Sequence, residues 1–315
     1  MTTHTRSGLP LLRRATPVSA GEIHEYSKAA NPVRPSLTPP VPYHFFPPSL
    51  YNAGETRTVP LDLSAALKCA APATGPGLLA SFVRILPGEE IALSPNATSM
   101  AFYVISGRGS AVSGTTEFVW KEGDFFAVPG PDGIALEAEQ TATLYHVSDA
   151  PLLTYLGVTA DQRRFDPVLF PAEQAQAALA EVMAHPAAAE RNRVSVLLAA
   201  KEFPLTRTIT HVLWAMYGSI GARSAQKPHR HQSIALDYIV SCAPGCYSLV
   251  GETLNEAGQI ANPVRVDWEA GCAFVTPPGH WHAHFNESDQ EARLIPIQDA
   301  GLQTYLRTLD IRFGG

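Results

Sequence analysis

Two short segments near the C-terminal end restrict this chain more than anything else in it. Pro228-His229-Arg230-His231 carries imidazoles at i and i+2, and Gly271 to Asn286 (GCAFVTPPGHWHAHFN) carries His282 and His284 at the same interval. Strand side chains two residues apart share a face, so His229 and His231 can converge on one point. Between the segments lie Tyr238-Ile239-Val240 and Tyr247-Ser248-Leu249-Val250. These apolar, β-branched runs are of the kind that pair as hairpin strands, and such pairing would return His282 beside the first two histidines. Three neutral imidazoles on strands make a site for a divalent transition metal with open positions.

The second segment, with Gly271, Pro277, Gly279, His282 and Asn286 at fixed intervals, resembles the second motif of the cupin superfamily at every defined position. The first supplies the His-x-His of the first cupin motif. That motif continues to a Glu ligand three or four residues on, where Ile234 and Ala235 stand here, and its leading Gly would fall at Arg223, the nearest glycine being Gly221. A His-Arg-His with an apolar residue in place of Glu, followed by Trp281-His282-Ala283-His284, resembles the gentisate and salicylate 1,2-dioxygenases. That resemblance implies Fe(II) held by His229, His231 and His282, with O2 as co-substrate. It also implies that an aromatic acid chelates the metal through its carboxylate and adjacent hydroxyl and is opened beside the carboxyl-bearing carbon.

His284 inherits from the resemblance a role in acid/base chemistry or substrate binding, against a purely supporting hydrogen bond. Arg223 and Arg230 are candidates to attract the anion, and Gln232, Asp237 and Trp281 to shape the pocket. Asp299, in the closing stretch from Pro296 to Phe313, loosely matches an acidic position near the family's site. Two departures bear on specificity. Asp237 stands where relatives often have a basic residue, and commonly described members carry iron in the N-terminal barrel, the reverse of the arrangement here. A metal-dependent isomerase, lyase or decarboxylase, and a non-catalytic binding module, therefore stay open. His280 reads as an exposed loop histidine, His211 as a core histidine, and His44 as a packed or surface one.

The fold class expected is mainly β: two tandem cupin (double-stranded β-helix, jelly-roll) barrels, a short helical connector and an extended arm. Residues 1–60 form the Pro-rich arm, since proline fixes φ and removes amide donors. Its aromatics, Tyr43, Phe45, Phe46 and Tyr51, need a barrel or a neighbouring subunit to pack on. Residues 61–160 form the first barrel, with strands expected at 78–86, 100–105, 110–112, 116–120 and 124–128. The connector spans 161–200, with a helix from Pro171 to His185. Residues 201–315 form the second barrel, beginning with a strand at 207–216.

The halves repeat. Phe102-Tyr103-Val104-Ile105-Ser106 parallels Asp237-Tyr238-Ile239-Val240-Ser241, and Gly123 to Pro129 parallels Gly271 to Pro277, the second copy having a longer excursion near 252–263. In this alignment Ser94, Asn96 and Ile134 stand opposite His229, His231 and His282. The first barrel should thus lack the metal ligands that the second keeps.

At 315 residues with a net charge of −6 and 17% charged residues, the chain gives no reason to expect nucleic acid or an acidic membrane as partner. No membrane-length apolar run or signal core is present, and four irregularly spaced cysteines suit reduced thiols in the cytoplasm. A homodimer or homotetramer is the assembly expected.

Overall fold

The computed structural model describes residues 20–29 and 37–314. It divides into two units, residues 1–38 and 39–315. In the first, the described element is one helical turn, Tyr26–Ala29. Part of the expected Pro-rich arm thus lies outside the described residues.

The second unit holds four antiparallel sheets that form two barrels. In the first barrel a six-stranded sheet runs in the order Val168–Phe170, Phe125–Pro129, Ser99–Ser106, Ala142–Ser148, Leu79–Ile85, Arg57–Pro60. It faces a four-stranded sheet of Glu90–Leu93, Ile134–Ala138, Arg108–Ser113 and Thr116–Lys121. The second barrel repeats the plan. Its six-stranded sheet orders Phe45–Phe46, Ala273–Thr276, Ala235–Ser241, Ala292–Gln298, Trp214–Ile220 and Val194–Leu198. The facing sheet orders Val264–Asp267, Cys246–Gly251, Trp281–Asn286, His229–Arg230 and Arg312–Phe313, and Ser224–Ala225 also pairs with Trp281–Asn286.

The helix in the connector is Ala172–Ala184. It is flanked by strands on both sides: Val168–Phe170 extends the first barrel, and Val194–Leu198 extends the second. The strand expected at 207–216 begins only at Trp214. Ahead of it Arg207 has φ +53°, and the Thr210 hydroxyl caps the amides of Val212 and Leu213, so local side-chain bonding replaces a ladder there.

Alternation sorts each strand's side chains between two cores. One face of Ser99–Ser106 sends Phe102 and Val104 into the first barrel, where Trp120, Phe126, Ile134 and Leu136 fill the space. The other face sends Tyr103 outward to meet the second barrel, where it packs with Tyr145 and Phe125 against Tyr217 and Tyr238. The Tyr145 and Tyr238 rings stack at 5.3 Å, and Phe125 meets Tyr217 edge-on at 5.9 Å. Burying side chains of this size stabilises by roughly 1.5–3 kcal/mol each, which makes this face a structural interface.

The arm aromatics pack on their own chain, chiefly on the second barrel, with the Tyr51 ring also 4.4 Å from Phe82 of the first. Phe45 and Phe46 pair with Phe274 and Ala273, and the Val275 amide donates to His44 O at 3.0 Å. The Tyr51 hydroxyl donates to Gly271 O at 2.9 Å. Gly271 has φ +88°, and a Cβ there would run into that same hydroxyl. This glycine of the motif is therefore needed both by its turn and by the arm.

Candidate metal centre

His229, His231, His282 and His284 are each no more than 4% exposed. His229 lies directly opposite His282 in the sheet, and the Gly279 amide donates to His231 O at 2.7 Å, so backbone bonds tie the two segments together. The His229 and His282 rings are 4.1 Å apart, and those of His231 and His282 4.9 Å. Among the described residues, one group of side chains is placed to hold a metal ion. It is His229, His231 and His282, with ligand nitrogens all within 4.8 Å of one another.

The hydrogen bonds of these three rings prepare them for that use. Nδ1 of His229 lies 3.3 Å from Lys227 O, Nδ1 of His231 2.8 Å from Ser233 O, and Nδ1 of His282 3.1 Å from His280 O. A carbonyl oxygen only accepts, so each Nδ1 carries the proton and each Nε2 keeps its lone pair. Nε2 of His229 and of His231 is buried without a hydrogen-bond partner. Leaving such acceptors bare is costly, and a divalent cation would satisfy them. The donor set therefore fits a transition metal.

Burial holds all four imidazoles below their ordinary basicity. For His229 and His284 the positive charge of Arg193 comes next, while for His282 the neighbouring His229 and His231 come before it. His231 is held down at about 4, chiefly by burial, against the opposing pull of Ser233 O. Rings that stay neutral are the form a metal requires.

Arg193, whose charge acts on all four imidazoles, and Gln226, whose backbone is tied to that of His284, are neighbours of the centre that the sequence reading missed. Arg193 leads into the strand Val194–Leu198, and its Nε is buried without a partner. Burial lowers its basicity, and Asp237 opposes that shift. The Gln226 amide donates to His284 O at 2.8 Å, and its side-chain Oε1 is also buried and unpartnered. Nothing in the local sequence marks an arginine in a connector as belonging to a barrel lumen. Only the pairing of Val194–Leu198 with Trp214–Ile220 brings it there.

The remaining candidates are placed as follows. Asp237 is 1% exposed, accepts from the Thr276 hydroxyl at 2.9 Å, and is pushed up to about 6 by burial, with Arg193 and Thr276 opposing. Arg230 lies 5.2 Å from the centre of the Trp281 ring, its Nε buried and unpartnered. Gln232 Oε1 accepts from the Asp310 amide, tying down the C-terminal strand that pairs with His229. Arg223 is on the surface, with two hydrogen bonds to Asp289, so its polar contacts are away from the histidines.

Asp299 Oδ1 accepts from the Ile234 amide at 2.9 Å. Asp149, in the same place in the first barrel, accepts from the amides of Thr98 and Ser99. Each aspartate follows a strand of the six-stranded sheet, Ala142–Ser148 or Ala292–Gln298, and precedes a seven-residue helix, Ala150–Leu156 or Ala300–Leu306. Both barrels use this carboxylate to close the fold, so its bond needs no bound ligand to explain it. Ile234, near the usual Glu position, is 2% exposed and packs in the interface between the barrels.

His211 sits against Phe165 and Phe203 in a bend, and His44 is exposed beside Phe46. No described helix is long and apolar enough to cross a membrane.

No protein-family model and no curated protein sequence matches the chain. Solved structures do. Salicylate 1,2-dioxygenase from Pseudoaminobacter salicylatoxidans, as a point variant in complex with gentisate, superposes with a TM-score of 0.71 at 13% identity, over 93% of this chain and 92% of that one. The same enzyme in its adducts with gentisate gives 0.70 at 13% identity over 97% of each chain. The chain therefore has the two-barrel cupin fold of the salicylate 1,2-dioxygenases.

Proposed function

We propose that this protein is an Fe(II)-dependent ring-cleaving dioxygenase acting on a hydroxylated aromatic carboxylate (gentisate, salicylate or a substituted salicylate), with a place in aromatic-acid catabolism. The observation that carries this reading is the set of Nε2 lone pairs on His229, His231 and His282, those of the first two buried without partners, in a fold shared with an enzyme solved with gentisate. Ferrous iron in that triad would supply open positions for a bidentate anion and for O2.

The chain's own residues would do the rest. Arg193 meets the substrate carboxylate in a lumen where few other charges compete, and the low dielectric strengthens that attraction. Asp237 offsets part of the Arg193 charge, which favours a substrate with one carboxylate over one with two. Arg230 and Trp281, stacked on one another, wall the pocket, and His284 faces the bound acid.

The test is oxygen uptake by iron-reconstituted protein with a panel of hydroxybenzoates. Uptake with at least one, lost in His282→Ala, is expected, and none with any of them defeats the proposal. Asp237 favours one alternative, a non-oxidative isomerase, lyase or decarboxylase, because a buried carboxyl raised to about 6 can exchange a proton near neutrality. Turnover under strict anaerobiosis would select that reading.

Free cysteines at 69, 242, 246 and 272 fit a reducing, cytoplasmic setting. Tyr155, Leu156, Tyr305 and Leu306, exposed at the ends of two equivalent helices, offer a surface for a homodimer or homotetramer, to be read by light scattering.

A further inference from the structure

The four histidines of the lumen are not hydrogen-bonded alike. His284 sits opposite Ser248 in the sheet, and its Nδ1 lies 2.7 Å from the Ser248 hydroxyl oxygen. The same oxygen receives the indole N–H of Trp268 at 2.9 Å. An indole nitrogen can only donate, so Ser248 Oγ accepts there. Ser248 is fully buried, and the one acceptor within reach of its hydroxyl proton, among the described residues, is His284 Nδ1. Were Nδ1 itself protonated, that hydroxyl proton would be stranded in the core, an arrangement proteins avoid. The proton of the imidazole is thereby driven to Nε2, which is buried without a partner.

Ser233 shows the opposite wiring on a metal-facing histidine. Its hydroxyl donates to Gln298 Oε1 at 2.9 Å, so its oxygen is left to accept from His231 Nδ1 at 3.0 Å. Two serine–histidine pairs in one barrel thus run with opposite polarity. One leaves a lone pair at Nε2, and the other leaves an N–H.

We propose that Trp268 and Ser248 are positioning residues that fix His284 as an Nε2–H donor, so that it is excluded as a fourth metal ligand and hydrogen-bonds an anionic oxygen of the bound acid. The assignment of His284 to substrate rests on the function proposed above, whereas the polarity of the relay does not.

The experiment separates the two. Full-length protein labelled with 15N-histidine, without metal, is examined by long-range 1H–15N correlation, which distinguishes the two imidazole tautomers. His284 is expected as the Nε2–H form and the other three as Nδ1–H. Ser248→Ala should mix the His284 tautomers, and Ser248→Thr, which keeps the hydroxyl, should restore the wild-type pattern. Trp268→Phe should give an intermediate result. An Nδ1–H form at His284 in the wild type, or a pattern unmoved by Ser248→Ala, overturns the relay.

With zinc-loaded protein, Ser248→Ala should keep its metal stoichiometry but bind salicylate about tenfold more weakly, as for the loss of one oriented hydrogen bond. Ser248→Thr should recover that affinity. Unchanged salicylate affinity in Ser248→Ala overturns the contact with the acid and leaves the tautomer result standing. Failure of the wild type itself to bind any aromatic acid counts against the proposed function instead.

Discussion

The two barrels share a backbone plan and differ in what their walls turn inward. In the first, Phe102 stacks on Phe126 at 4.7 Å and on His146 at 4.4 Å, and the lumen is closed with aromatic rings. In the second, the residue aligned with Phe102 is Asp237, and the one aligned with Val128 is Thr276; these two are hydrogen-bonded. The buried polar atoms without partners divide in the same way. Among the described residues, His229, His231, His284, Arg193, Gln226 and Arg230 each contribute one to the second barrel, with Tyr43, His211 and Glu291 adding others outside the histidine cluster, while Asp132 is the one such residue within the first. Even the exception has company, since Asp132 is paired with Arg163. A scaffold whose interior is complete has no use for a ligand. One left with several stranded donors and acceptors is arranged around something it expects to hold.

The sharpest break of this contrast would be His282→Ala, which should abolish metal uptake, read as metal content after reconstitution. Retention of one ion per chain would mean that the cation sits elsewhere. Next in size is Phe102→Asp, which puts the second barrel's carboxylate into the first barrel's apolar lumen. The imidazole beside it, His146, is itself kept neutral by burial at about 4, so the change should cost on the order of 4 kcal/mol, seen as a lower denaturant midpoint.

Asp237 itself should show in the pH dependence. Its carboxyl is raised to about 6, so the native state keeps this proton after the unfolded chain, with its ordinary value near 3.8, has lost it. The stability attached to that proton is fully present below pH 4 and is lost as pH rises through 6, up to about 3 kcal/mol in all. Asp237→Asn should remove this contribution in metal-free protein. Asp299, also raised to about 6 by burial, should keep its own share, and the buried histidines add slopes of the opposite sign. Between about pH 4 and 6 the slope of stability against pH should therefore shift upward by about 1.4 kcal/mol per pH unit. An unaltered slope would place the ionising group elsewhere. The smallest of the effects is that of Ser233→Ala. Loosening His231 while leaving its ring in place should weaken metal binding about 10- to 100-fold, measured by competition with a chelator.

Much of this contrast could be read from the residues in order. Alternation and turn glycines placed five strands of the first barrel to within one or two positions, and the repeat already set Ser94, Asn96 and Ile134 against the three histidines. In the structure Ser94 and Asn96 are exposed and Ile134 is a core residue of the first barrel. What stayed hidden was non-local. Arg193 belongs to the site only because a connector strand joins a sheet wall, and Trp268 comes within 5.5 Å of the His284 ring, and shares Ser248 with it, only because the strand of Ser248 lies between them. Arg223 misled because the motif aligned it with a glycine near the site, whereas an αL backbone at φ +54° sends its side chain to Asp289. Asp299 resembled a site acid until Asp149 showed the same bond in a barrel with other contents.

The strand Phe45–Phe46 has a consequence for how the molecule is made. It is translated before either barrel, yet its place is at the rim of the barrel that is translated last. On the ribosome it must wait for nearly the whole polypeptide to emerge before it finds its partner, the sort of long-range closure that slows maturation. Cutting the gene between the barrels would separate this rim piece from the half that needs it. A split version should therefore recover its second half only when residues 39–60 are supplied with it.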